Sequence, residues 1–515
     1  MSQQTSSLPF RTMIEWSSRY TSVVVAGMVL GLLLFYRSGA LPLVLLGLVV
    51  FGGFALLRPH LALLFVPITM PLYLIPATIS VPFIREQPFW FPLHEIVLLV
   101  VLGATCVHWF VTRGSEQDFD FSQMQSWLPS LRAYIPHALF LVAGIIGVLI
   151  AVPEGQSAAL REFRWVIVEP LIFLVLLKVH ATSLDMPLND EGSAVLPYGL
   201  VLLAFVLGGA VVGVVGMFQF VGLDLVWLFG EKTTAAFASN VVPLGGGLVR
   251  ATSVFGHPNN LGLYLERVWP VAAAVVAVTI QSNHFSLRPW NWRMVFFALC
   301  CLLCLIGVAV SFSRGAWLGS IVAVIVLASP LLQQRMSSRS FPVLAGLCLF
   351  VVVVGGLAFS IRGDPTTGST GARILLWQEA STLIRQHPLG LGLDQFYYYH
   401  NPDFGRSIID PSLIGTSEQY ARHPHNLVFD TWIQVGPLGL IALVWVLMRF
   451  TRQALPVANK PFATSTSFLS LGILAAMAAA VFHGLVDSFY FWPDLAFTFW
   501  MLMAIMERNK VEVKN

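Results

Sequence analysis

Two histidines, His423 and His425, stand two residues apart in RHPHNLVFD, where a polar stretch gives way to an apolar run. An imidazole accepts a proton near neutral pH, and one at the membrane edge of a positively charged chamber is placed to act as a general base. Side chains two apart just ahead of a helix do not point the same way. One of the pair therefore reads as the base and the other as an orienting or binding group, and the spacing leaves open which is which. The plainer alternative is a polar helix entry with Asn426 as its cap. Asp430, one turn on, is suited either to orient a histidine or to satisfy a buried donor.

The arginines suggest an anionic ligand. Arg314, in SFSRGAWLG, joins two apolar runs with almost no loop between them, and Ser311 and Ser313 flank it. A guanidinium there can hold phosphate through two parallel hydrogen bonds, or it can simply anchor a helix hairpin. Arg250 precedes a turn at Gly256, Pro258 and Asn259 in which His257 reads as structural. Arg373 belongs to STGARILLWQEASTLIRQHP, where Arg373, Trp377, Ala380 and Ile384 fall on one helical face, with Ser369 or Thr370 as cap. Such a helix lies on the membrane surface or over a bundle. It ends at His387-Pro388, and Gly390 and Gly392 permit a turn. Arg161 and Arg164, in PEGQSAALREFRW, add to the same charge, although arginines at helix ends also snorkel to lipid headgroups. Tyr397 and Tyr398, with Trp377, offer rings for stacking on sugar faces, or they pack a surface. Glu266 and Arg267 lie about two turns into an apolar run, a depth at which ionisable residues mark function, a buried ion pair or contacts to neighbouring helices.

The elements that must position these groups are helices in a bilayer. Of 515 residues, 57% are apolar and 11% charged, with mean hydropathy +0.77, far from soluble composition. The expectation is an all-α polytopic bundle of about 12–14 transmembrane helices, each needing roughly 20 apolar residues. The apolar runs are 20 to 36, 40 to 57, 60 to 81, 93 to 112, 137 to 152, 165 to 180, 197 to 220, 259 to 280, 294 to 312, 316 to 333, 341 to 360, 426 to 449, 465 to 485 and 494 to 507. The whole chain, 1–515, reads as a single membrane domain. One long extracytoplasmic loop, 361–425, carries Arg362, Arg373, Arg385, Arg406 and Arg422 with His387, His400, His423 and His425.

Orientation follows from Lys and Arg in the short loops. With the first residues inside, Arg58, Arg113, Arg132, Lys178, Arg288, Arg293, Arg335, Arg449 and the basic residues of both ends fall on the cytoplasmic side. The long loop and the outer-face arginines Arg85, Arg161, Arg164, Arg250 and Arg314 fall opposite. This asymmetry places both termini in the cytoplasm, and MSQQTSSLPFRTMIEWSSRY, lacking a cleavage site behind a short apolar core, reads as a cytoplasmic tail rather than a signal peptide. The five cysteines sit in apolar runs and read as small hydrophobes; Cys301 and Cys304 form a CxxC without a second pair or a histidine.

No P-loop, GxGxxG, HExxH or aspartate-rich metal motif occurs, and a net charge of +3 makes no case for nucleic acid. No cofactor and no metal is expected. A donor carrying its own lipid-linked diphosphate, held by arginines, needs no metal.

In order, RATSVFGHPNNLGLYL, SFSRGAWLG, GARILLWQEASTLIRQHPLGLGLDQF and HPHNLVFDTWIQVGPLGL make residues 250–440 resemble the O-antigen ligase and O-antigen polymerase family of bacterial envelope enzymes. The resemblance implies transfer of a glycan from undecaprenyl diphosphate to a hydroxyl of an acceptor glycan, lipid or protein, without metal, at the outer face of the bacterial cytoplasmic membrane. It implies that Arg314, with Arg250 and Arg373, holds the donor diphosphate, and that His425, in the HN opening the helix after the long loop, is the catalytic histidine. HPHN departs by offering His423 as a second candidate. A different class, a transporter or flippase of a lipid-linked or anionic solute, would need charges at mid-membrane and paired broken helices, whereas most charge here falls in loops. A structural envelope protein would not need this concentration of arginine and histidine.

Overall fold

The computed structural model of the chain describes residues 19–79, 89–113, 121–187, 195–232, 242–245, 248–282, 292–335, 369–458 and 465–514. The protein is an all-α polytopic membrane protein. Its main helices are α1 (Thr21–Arg37), α2 (Leu41–Leu57), α3 (Leu93–Arg113), α4 (Phe121–Leu149), α5 (Gln156–Phe163), α6 (Glu169–Val179), α7 (Gly199–Phe220), α8 (Pro258–Ser282), α9 (Trp292–Val310), α10 (Arg314–Arg335), α11 (Ser369–Gln386), α12 (Leu427–Ala458), α13 (Ser465–Gly484) and α14 (Pro493–Lys514). Among the described residues six helices, α3, α7, α8, α9, α12 and α13, are long and apolar enough to cross a membrane, and α1, α2, Pro59–Leu72, Ile135–Leu149 and Arg314–Pro330 are shorter apolar helices.

The apolar run at 60 to 81 is helical only to Leu72 and is divided at Leu64. Pro67, Pro71 and Pro76 each remove a backbone donor there, and the chain leaves as β1 (Ala77–Ile79), paired antiparallel with β2 (Phe89–Phe91). The runs at 165 to 180 and 494 to 507 are helical without meeting the length and hydropathy of a full span. The run at 341 to 360, with Arg362 and Arg85, lies outside the described residues.

Small residues let α7, α8, α9, α10 and α13 approach closely, as membrane helices do when lipid offers no hydrophobic drive to association. A Cβ on Gly213 of α7 would lie 2.4 Å from the Leu303 carbonyl of α9; one on Gly472 of α13 would lie 2.8 Å from the Pro270 carbonyl of α8. The α8, α10 and α13 contacts matter most, because Arg250 precedes α8, Arg314 opens α10 and Asp487 follows α13, all at one end of the bundle.

The long loop is stitched to the same end. Helix α12 runs through Gly436, which is non-helical at φ 68°, ψ −174°. The break frees the Ile433 carbonyl, which accepts from Leu391 N at 2.8 Å and Gly392 N at 3.2 Å, while Trp432 donates its indole to the Pro388 carbonyl at 2.9 Å. Gln395 reaches across, accepting from Val152 N at 3.1 Å and donating to the Gly155 carbonyl at 3.1 Å. Helix α11 buries Leu376, Ala380 and Leu383 in a small second core with Leu391, Phe396 and Ile433, each full leucine burial contributing roughly 1.5–3 kcal/mol. It therefore lies over the start of α12 rather than along a lipid surface.

The backbone at Gly436 falls in a region open essentially to glycine, and a Cβ there would meet the Leu389 carbonyl at 2.4 Å. Gly436→Ala should destabilise the protein by about 1–3 kcal/mol and lower its melting midpoint in detergent. Gly405→Ala, where a Cβ meets nothing within 4 Å, should leave the midpoint unchanged; equal melting of the two variants would refute the proposed role of the break.

Candidate functional site

Asn426 begins α12 as the sequence suggests: its Oδ1 accepts from Val428 N at 2.9 Å and Phe429 N at 3.2 Å. The same side chain donates to the Leu485 carbonyl at 2.8 Å, tying this helix start to the turn after α13. His425, just before it, holds the left-handed conformation at φ 51°, which costs a non-glycine residue energy and persists only where its surroundings enforce it. They do. Trp377 of α11 donates its indole to the His425 carbonyl at 3.2 Å, and His425 N donates to His423 Nδ1 at 3.4 Å.

Both ring nitrogens of His425 face carboxylates. Nδ1 lies 3.1 Å from Asp487 Oδ1 and Nε2 lies 3.4 Å from Glu418 Oε2. Burial alone would favour the neutral ring, but the two anions outweigh it and raise His425 to about 9. His423, whose ring centroid is 4.2 Å away, moves the opposite way, pushed by burial and the charge on His425 down to about 3. At neutral pH His425 is thus an imidazolium and His423 a neutral ring. Glu418 is drawn down to about 2, its burial outweighed by His425 and Arg373. His400 places Glu418, with Nδ1 2.7 Å from Glu379 Oε2 and Nε2 2.7 Å from the Glu418 carbonyl.

Asp487 is the hub. Its Oδ1 faces His425 and accepts from Ser488 N at 2.8 Å; its Oδ2 accepts from Arg373 at 2.9 Å and from Asn259 Nδ2 at 2.8 Å. Asn259 Oδ1 in turn accepts from Arg250 at 3.4 Å, and Arg250 Nε donates to the Ser311 carbonyl at 3.2 Å. Burial and the nearby charges of Arg314 and Arg373 lower the Arg250 pKa, so three guanidiniums from separate elements converge, an arrangement suited to a multivalent anion. Ser311 and Ser313 are buried and serve the backbone: Ser311 Oγ accepts from Ser313 N at 3.1 Å, and Ser313 Oγ accepts from Ala316 N at 3.4 Å, inside α10.

Residues 299–444 match the family model described as O-antigen ligase. Over these residues the chain is similar to O-antigen ligases. A search of the curated proteins finds no match. The family supports a role in glycan transfer in O-antigen biosynthesis at a membrane. Arg314, Arg373, Glu418, His423 and His425 lie inside the matched ligase residues, whereas Arg250, Asn259 and Asp487 reach the same site from outside them.

Not every expected arginine joins this group. Arg164 binds both Glu95 oxygens and stands 3.5 Å from Glu169. It opens a π-helical turn, Arg164–Val168, a distortion frequent at functional sites. Arg161 pairs with Asp394 at 3.1 Å, as does Arg422 at 3.2 Å. Tyr397 lies beneath Arg422, 5.1 Å from its Cζ, and Tyr398 packs edge-on against Tyr397 and tilted against Phe404. Trp377 braces His425. Asp430 accepts from Gln434 at 2.8 Å and, among the described residues, hydrogen-bonds to no histidine. Glu266 contacts His483 at 3.0 Å while Arg267 donates to the Phe489 carbonyl at 2.8 Å, so their partners are neighbouring helix ends. His257 Nδ1 accepts from Asn259 N at 3.1 Å, a structural part.

Among the described residues His423, His425 and Asp487 offer ligand atoms within 4.8 Å of one another and could hold a metal ion. A metal bound through Asp487 Oδ1 would have to take the place of the His425 proton that faces that oxygen.

A histidine whose folded pKa lies above its ordinary 6.5 contributes stability in full below that value and loses it as pH rises through about 9. The melting midpoint of the wild-type protein should therefore fall more between pH 7 and pH 10 than that of His425→Gln. Parallel curves for the two would refute the charged clamp.

Proposed function

We propose that the protein transfers a glycan from undecaprenyl diphosphate to an acceptor hydroxyl at the outer face of the bacterial cytoplasmic membrane, with both termini in the cytoplasm and no metal taking part. The observation that carries this reading is the Asp487 hub, which links the histidine of the ligase domain to Arg373 directly and to Arg250 through Asn259. Arg250, Arg314 and Arg373 hold the donor diphosphate and neutralise the charge that grows on it as the bond to the anomeric carbon breaks. Asp487 fixes Nδ1 of His425, so Nε2 is the nitrogen available to the acceptor. Once His425 has released its Nε2 proton to solvent, the acceptor oxygen attacks the anomeric carbon with inversion, its proton passes to Nε2, and the electron pair of the broken C–O bond leaves with the diphosphate.

Glu418 occupies the approach to Nε2 in the resting protein. The acceptor hydroxyl takes its place, and losing one of its two carboxylates lowers the proton affinity of His425 toward the range useful for a base. The transport alternative finds less support, since Glu266 and Arg267 are committed to contacts within the bundle.

His425→Ala should leave a folded, inserted protein whose transfer rate, followed as release of undecaprenyl diphosphate, falls by at least about 10²-fold; near-normal transfer would sink the assignment. The pH profile then separates two roles for His425. As a base it must lose its proton, so kcat/KM should climb with pH toward about 9, and Glu418→Gln should move that climb to lower pH. A histidine acting as a permanent cation on the diphosphate would instead give a rate that drops above about 9.

A further inference from the structure

A second cationic cluster stands beside the first and is built differently. One oxygen, Asp394 Oδ2, accepts from Arg161 at 3.1 Å and from Arg422 at 3.2 Å. The Asp394 side chain is 11% exposed and both arginines are 44% exposed. Each guanidinium also rests on a ring, Arg161 5.5 Å from Trp165 and Arg422 5.1 Å from Tyr397. Carboxylate and rings together fix two planar cations, each with four further N–H donors beyond the one given to Asp394. Asp394 is itself held: it adopts φ 54°, and its N–H donates to Gln434 of α12 at 3.3 Å.

The charge does not balance. Glu162, the next acid, is pushed up by burial and by Asp394, which favours its neutral form, so two guanidiniums face one shared carboxylate. A purely structural latch between α5 and the loop would be complete with one arginine. The two clusters share no ion pair: Arg373 pairs with Asp487, whereas Arg161 and Arg422 pair with Asp394. They meet at the histidines, because Arg422 immediately precedes His423.

The geometry points to Arg161 and Arg422 as a subsite for an anionic sugar, one bearing a phosphate monoester or a carboxylate, placed on the acceptor side of His425. Planar forks of this kind match both anions with paired hydrogen bonds, and Tyr398, half-buried beside them, offers a ring edge to the sugar. The assignment to the acceptor rests on the transfer reading above; the existence of the anion site does not.

Binding is therefore measured first, by ligand-observed NMR on the purified protein in detergent, with glucose 6-phosphate, glucuronate, glucose and inorganic phosphate. The charged sugars should bind at least about tenfold more tightly than glucose and more tightly than inorganic phosphate, and Arg161→Gln and Arg422→Gln should each weaken them about tenfold or more. Equal binding of glucose, or charged-sugar binding indifferent to both substitutions, overturns the site. Tighter binding of inorganic phosphate than of either sugar overturns the sugar component. If both variants fail to fold, glucose 6-phosphate should protect Arg161 and Arg422 of the wild type from phenylglyoxal, mapped by mass spectrometry, and absence of protection overturns the proposal. Transfer is then compared on one acceptor before and after removal of its phosphates and reduction of its carboxyls. Arg422→Gln should raise KM for the charged acceptor about tenfold with kcat little changed, and leave KM for the uncharged one in place. A rise in donor KM instead would assign the cluster to the donor. Loss of transfer in wild type with binding intact would strike the transfer reading and spare the site.

Discussion

A single buried carboxylate holds the site together. Asp487 gives its two oxygens to four donors: an imidazolium, a guanidinium, an amide side chain and a backbone N–H. These come from the end of the long loop, from α11, from the start of α8 and from the turn after α13. Removing a buried charge from water is costly unless partners satisfy it, and the cost of breaking such a set exceeds the net gain of forming it. The hub therefore works as a constraint more than as a source of stability. It obliges four segments remote in sequence to keep one register, and it holds Arg373 and the histidine on opposite oxygens of one anion.

The bundle's contribution is to bring helix ends to one place. Close packing at Gly213 and Gly472 sets helix spacing to about what backbones allow, and at that spacing Arg250, Arg314 and Asp487 converge without any long side-chain reach. The loop is held by different means. Its anchor is the backbone exposed by the break in α12, and its core of Leu376, Ala380 and Leu383 positions Trp377 beneath His425.

Much of this was legible in the sequence. Hydropathy marked the helices because a span must be apolar along its whole length, and the N-terminal cap at Asn426 followed from its side chain and place. Arg250, Arg314 and Arg373 stood out as charges in otherwise apolar or loop-like surroundings. Asp487 was visible only as one acid in VDSFYFWPD, between two apolar runs, and nothing local tied it to a histidine 62 positions away. Glu418, Asn259 and Asp394 were hidden for the same reason: each is an ordinary polar residue whose partners lie far off along the chain. The division of the arginines could not be read either, since Arg161 and Arg373 carry the same charge and differ only in which carboxylate they meet. Trp377 looked like a ring for a sugar, and nothing local showed that its indole also holds a backbone carbonyl.

The break at Gly436 also bears on how such proteins can be recombined. The loop from Pro388 to Gln395 borrows the Ile433 carbonyl that a broken α12 exposes, and its own carbonyl at Leu389 fills the space a side chain at 436 would need. Neither half is complete without the other. A chimaera that exchanged the long loop alone would join foreign backbone donors to acceptors cut for different ones. The smallest portable unit runs through the kink, from 388 to 436, and carries His423, His425 and Glu418 with it while leaving Asp487 behind in the host.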